Sequence, residues 1–103
     1  MANYIFAFHG GTIPETPEEG AKVMAKWVAW MEGLGDAIAH PGAPVGQSHT
    51  VSAAGTKPDG GANPLSGFTL ITADSLDSAI EMARGCPINE AGGSVEIAEM
   101  LPM

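Results

Sequence analysis

Three histidines, a cysteine and a scatter of carboxylates are the side chains of this sequence able to do chemistry, and their placement separates them. His9 closes the alternating stretch NYIFAFH and is followed by Gly10 and Gly11. Ser94 and Glu96 lie in SVEIAEM near the other end. If the first and last extended segments are antiparallel neighbours, the end of one meets the start of the other, and His9 comes to Ser94 and Glu96. A carboxylate beside an imidazole raises its pKa and orients it, which makes a general acid or base working near neutral pH. His9 and Glu96 are therefore the expected catalytic pair, with Ser94 as a ligand contact. The plainer reading, a histidine that only ties two strands together, stays open beside it.

His40 and His49 flank the irregular segment HPGAPVGQSH. Their spacing matches no compact metal motif, so no metal is expected, and each reads as a loop histidine. Ser48 and His49 are retained as ligand contacts at the mouth of a cavity. The Gly10-Gly11 pair lacks the longer glycine pattern of a phosphate loop and reads as a turn. Trp27 and Trp30, three apart, read as core packing. Cys86 follows a helix and reads as a small buried apolar residue. Glu15, Glu18 and Glu19 suit the positive end of a helix and need no catalytic role.

The elements that must position these groups follow from periodicity. Tyr4, Phe6 and Phe8 alternate with Asn3, Ile5, Ala7 and His9, a half-buried strand whose aromatic face meets helices. Thr16, Pro17 and Glu19 form a capping-box pattern with proline at the first helical position. Val23, Trp27, Trp30, Met31 and Leu34 then recur at helical spacing until Gly33 and Gly35. From Asp36 to Ala54 the prolines suit an irregular edge strand or a bulged hairpin arm. TKPDGGANP reads as a loop, able to act as a flap. GFTLITA reads as a buried strand, and DSLDSAIEMARGCP as a helix capped by Asp74 or Ser75, with Leu76, Ile80 and Ala83 as its stripe. SVEIAEM closes the order with Val95 and Ile97 on one face and Ser94, Glu96 and Ala98 on the other.

Strand, helix, strand, strand, helix, strand is the split βαβ order: α+β, ferredoxin-like, with two helices on one face of a four-stranded antiparallel sheet. Ile5, Ala7, Thr69, Ile71 and Ala98 fall by alternation on the uncovered face and are too apolar to leave it wet, so a homodimer is expected.

GFTLITADSLDSAIEMARGCP followed by GGSVEIAE resembles the YCII-related family, small ferredoxin-like proteins that pair into dimeric α+β barrels. The resemblance implies a single YCII-related domain over residues 1–103. In one branch of the family the loop before the third strand carries Asp-Gly-Pro-Phe. Asp59 and Gly60 match its first half, which marks Asp59 as a ligand contact, while Gly61 and Ala62 replace the rest. Some members use a histidine in the first helix and an aspartate near its end. Those places fall near Met24 and Gly33 here, and neither moves a proton.

Twelve acidic against four basic residues among 103 give a charge of −8, which repels phosphate backbones and anionic lipid. No nucleic-acid or membrane partner is expected. One cysteine allows no internal disulfide, and the start of the chain has neither the basic residues nor the apolar run of a secretion signal, so the expected location is cytoplasmic. Two functions follow as expectations: a cofactor-free lyase or isomerase acting by proton transfer on a small organic molecule, or a non-catalytic small-ligand binding or regulatory module. A structural accessory is a third.

Overall fold

In the computed structural model, which describes residues 1–102, β1 (Ala2–His9) occupies the middle of a four-stranded sheet. Its neighbours are β5 (Leu65–Ala73) and β6 (Ser94–Glu99), both antiparallel to it, and β2 (Ile38–Pro44) lies antiparallel on the far edge of β5. The order β2-β5-β1-β6 is that of the ferredoxin-like fold.

Alternation along β1 works as the sequence implies. Tyr4, Phe6 and Phe8 are buried and form the core with Ile71 and Ala73 of β5, while Ile5 and Ala7 face the other way and are half-buried. One assignment differs: Thr69 and Ile71 are fully buried with the core rather than placed on the open face, and Phe68, Leu70 and Thr72 alternate with them. The helices are α1 (Pro17–Leu34) and α2 (Leu76–Arg84). Thr16 caps α1, its Oγ1 accepting from the Glu19 amide at 3.1 Å. The Glu19 carboxylate accepts from the Glu15 amide at 3.2 Å, one residue earlier than a reciprocal capping box would have it. Ser75 caps α2 through the Ser78 amide.

The two helices seat differently. On α2 the buried residues are Ala79 and Ala83, small enough to bring the helix close to the sheet, and Leu76 of the expected stripe is exposed instead. Cys86, Pro87 and Ile88 then close the core below α2. No residue of α1 is fully buried. Its inner face is held by Trp27 and Trp30, which meet Phe8 edge-on at 5.1 and 6.1 Å between ring centroids, and Trp30 Nε1 donates to the Met82 carbonyl of α2 at 2.9 Å.

β2 is the irregular edge strand its prolines suggest, with two breaks in register against β5. Between β2 and β5 the loop reading needs correction. β3 (Thr50–Ser52) and β4 (Gly55–Lys57) pair as a two-stranded arm outside the main sheet, all of it exposed. The stretch expected to be a loop thus opens with half a hairpin. The molecule is a slab of 43 × 41 × 19 Å, one sheet and one helix layer thick.

Candidate functional site

β1 and β6 pair with His9 opposite Ser94 and Ala7 opposite Glu96. That register puts Glu96 on the face away from the helices, since its neighbours Val95 and Ile97 pack against the core. Between Phe8 and His9 the pairing with β5 slips, so that Phe8 faces Gly67 but His9 faces Leu65. The slip draws the segment before β5 over the end of β1.

His9 is bracketed there. Its Nε2 stands 2.8 Å from Glu96 Oε1 and its Nδ1 3.2 Å from the Pro64 carbonyl oxygen. Both partners are acceptors, so both ring nitrogens must donate, and the arrangement is satisfied in full by the imidazolium alone. The pKa follows from opposing causes. Burial lowers it, but the hydrogen bond to Glu96, those to the Pro64 and Asn63 carbonyls and the Glu96 charge together raise it above 6.5. The two members differ sharply in access: the His9 side chain is 8% exposed and that of Glu96 67%. Solvent, and any ligand, meets the carboxylate first.

Of the other expected contacts, Ser94 is exposed and lies directly across from His9. Ser48 and Asp59 line a concavity of about 270 Å³ with Gly60 and Pro64, on the segment whose carbonyl holds His9. Asp59 Oδ1 accepts from the Gly61 amide at 3.0 Å, which makes it a turn former at that rim. His49 is exposed and lines neither this concavity nor the larger cleft described next. His40 stacks on Phe68 with ring centroids 6.3 Å apart, and its Nδ1 accepts from the Gly42 amide. Among the described residues no group of three or more His, Cys, Asp or Glu is gathered closely enough to hold a metal ion.

A larger cleft of about 780 Å³ lies on the opposite side, between α1 and the sheet, and His9 does not line it. Sequence reasoning missed it, because its walls come from five separate stretches of chain. Among the described residues no helix is long and apolar enough to cross a membrane.

The profile of the YCII-related domain matches residues 5–103 of the chain, which therefore belongs to that family. No curated protein matches it. Among solved structures it is similar to 5-chloro-2-hydroxyhydroquinone dehydrochlorinase (TftG) from Burkholderia phenoliruptrix AC1100 in complex with 2,5-dihydroxybenzoquinone, at 19% identity and a TM-score of 0.57 over 96% of this chain and 95% of that one. At that identity the likeness establishes the fold.

Proposed function

We propose that this YCII-related domain is a cofactor-free enzyme that moves a proton on a small organic molecule, as a lyase or isomerase does, and that it works in the cytoplasm as a homodimer. The observation that carries the reading is the His9–Glu96 pair at 2.8 Å, with its carboxylate open to solvent on an uncovered sheet face. A second copy packed on that face turns an open surface into a closed cavity, and exclusion of water strengthens the pair's field on a ligand.

The difference in access supports a division of roles. Glu96, the exposed member, takes the proton from the substrate as general base and returns it as acid. His9, bracketed by two acceptors, is the positioning residue: its Nε2 holds and aims the carboxylate. Ser94 supplies a hydroxyl on the same face, and Ser48 and Asp59 shape the rim beside Pro64. This exchanges the roles expected from sequence, where the imidazole was the acid or base. Dehydrochlorination removes a proton and a chloride from one molecule, so an enzyme of that activity on the same fold supports the reaction class.

A screen of small carbon acids by proton exchange in deuterated buffer tests the reading. Glu96→Gln is expected to lower exchange at least 100-fold in a chain that still folds, and His9→Gln to shift the pH profile of exchange. Exchange by Glu96→Gln equal to wild type would overturn it. A second reading, the non-catalytic ligand-binding module, draws on the engagement of both His9 nitrogens. Under it, wild type binds compounds in the screen and exchanges none.

A further inference from the structure

The β3–β4 arm is fully formed but has little to rest on. Thr50 pairs with Lys57, Val51 with Thr56 and Ser52 with Gly55, yet every residue from 49 to 59 is exposed, Val51 by 77%. A hairpin of two strands alone is marginal in water and gains its stability by packing on something else. Its own chain holds it at the base, where Thr50 Oγ1 donates to the Asp59 carbonyl at 2.6 Å and Gln47 Nε2 to the Pro58 carbonyl. Directly opposite residues share a face, so the arm has a polar, cationic side of Thr50, Ser52 and Lys57 and a more apolar one of Val51 and Thr56.

The main sheet has two edges that such an arm could join. β2 is unfit: Pro41 and Pro44 lack the amide that a ladder needs, and its register is broken twice. β6 is the reverse, six residues without proline in unbroken register with β1, and among the described residues nothing pairs its outer side. Open backbone along a regular edge is a template for a further strand. The alternation of β6 also matches that of the arm. Glu96 and Ala98 face the bare side, while Val95 and Ile97 are half-buried against the core. An arm laid on this edge with Lys57 on the side of Glu96 puts Val51 on the side of Val95 and Ile97, where it is covered.

Charge selects the same edge. In a chain of charge −8, residues 37–58 contain no acid and hold Lys57, one of four basic residues, together with His40 and His49. Residues 85–103 contain no Lys, Arg or His and hold Glu90, Glu96 and Glu99. Two copies of an acidic chain repel on average, and contact between these two segments is where they attract. We infer that the β3–β4 arm of one copy adds to the β6 edge of a second copy, and the second copy's arm to the first, as twofold symmetry requires. This exchange rests on the homodimer proposed above, and through it Lys57 of one copy comes to the Glu96 carboxylate of the other, so that neither proton-transfer site is complete in a single chain.

Cross-linking of Ser52→Cys/Ala98→Cys with a short bismaleimide tests the exchange, since both positions are exposed and Cys86 is buried. The expected product is a covalent dimer on a denaturing gel, with residues 52 and 98 joined in its digest. A link at monomer mass would overturn the inference in favour of an arm closing on its own sheet, and absence of a link would overturn it as well. Val51→Asp gives an independent reading. Val51 is exposed in the single chain, so this variant should keep its circular dichroism while its dimer dissociation constant in sedimentation rises about tenfold or more, as burial of a carboxylate demands. A dissociation constant equal to that of wild type would overturn the exchange. Failure of the arm and failure of the homodimer are told apart: a monomeric wild type removes both, whereas an intact dimer without the 52–98 link removes the arm alone.

Discussion

His9 makes two hydrogen bonds that only its protonated ring can donate together, so its protonation is coupled to folding. The folded pKa is raised above 6.5, and the stability this contributes is present in full below pH 6.5 and is lost as pH rises through the folded value. Melting temperature should therefore fall across that window in wild type. In His9→Gln it should start lower, by about 1–3 kcal/mol for a lost buried partner, or roughly 4–8 °C for each kcal/mol in a domain of this size, and lose most of the pH dependence. Identical profiles for the two proteins would show that the bracket does not hold in solution. Cys86 gives a second check at this scale. Burial pushes its thiol up to about 11, against a smaller downward pull from the Ile88 backbone, and leaves it 1% exposed. Iodoacetamide at pH 8 should leave the native protein unlabelled and label it stoichiometrically in denaturant; rapid labelling of the folded chain would contradict the packing below α2.

Among the elements, β2 depends most on a single residue. Gly42 has a φ of 70° and sits so close to β5 that a Cβ would run into the Phe68 carbonyl. Gly42→Ala must both strain the backbone and push the strands apart, and should cost more than about 2 kcal/mol, with loss of amide protection in β2 before β1. A melting temperature like that of wild type would refute the close approach. The same contrast explains what the sequence made legible. Strand β1, the Thr16 and Ser75 caps and the meeting of His9 with Glu96 follow from local periodicity, capping chemistry and the register that the split βαβ order imposes. The β3–β4 arm escaped because its two-residue turn is Ala53-Ala54, which carries none of the Asn or Gly signals of a tight hairpin. Leu76 is exposed where the stripe puts it inside because Ala79, too small to stand out in a pattern, is the residue that joins Ala83 against the core. The Pro64 carbonyl over His9 and the apolar cleft both depend on distant segments, and no local pattern reports them.

As a whole the molecule has one covered sheet face and one bare. Its radius of gyration of 14.8 Å exceeds the roughly 13 Å of an isotropic domain of this length, as a two-layer slab must. Ile5, Ala7, Phe68 and Leu70 lie on the bare face, and the proposed homodimer covers them. Light scattering at micromolar concentration should give about twice 10.5 kDa, and Leu70→Glu should give the monomer mass; a monomeric wild type would remove the closed cavity from the proposed mechanism. The central place of β1 also bears on the order in which the chain can fold. This strand precedes both of its partners in the sequence, residues 65–73 and 94–99. One of its edges stays open until β5 has been made and the other until β6 has. An apolar strand waiting that long for partners is a target for wrong pairing, and its completion through long-range contacts is slow. A circular permutant that begins at the exposed β3–β4 turn would deliver β5, β6 and β1 consecutively, and would shorten the interval in which the nascent protein is open to aggregation.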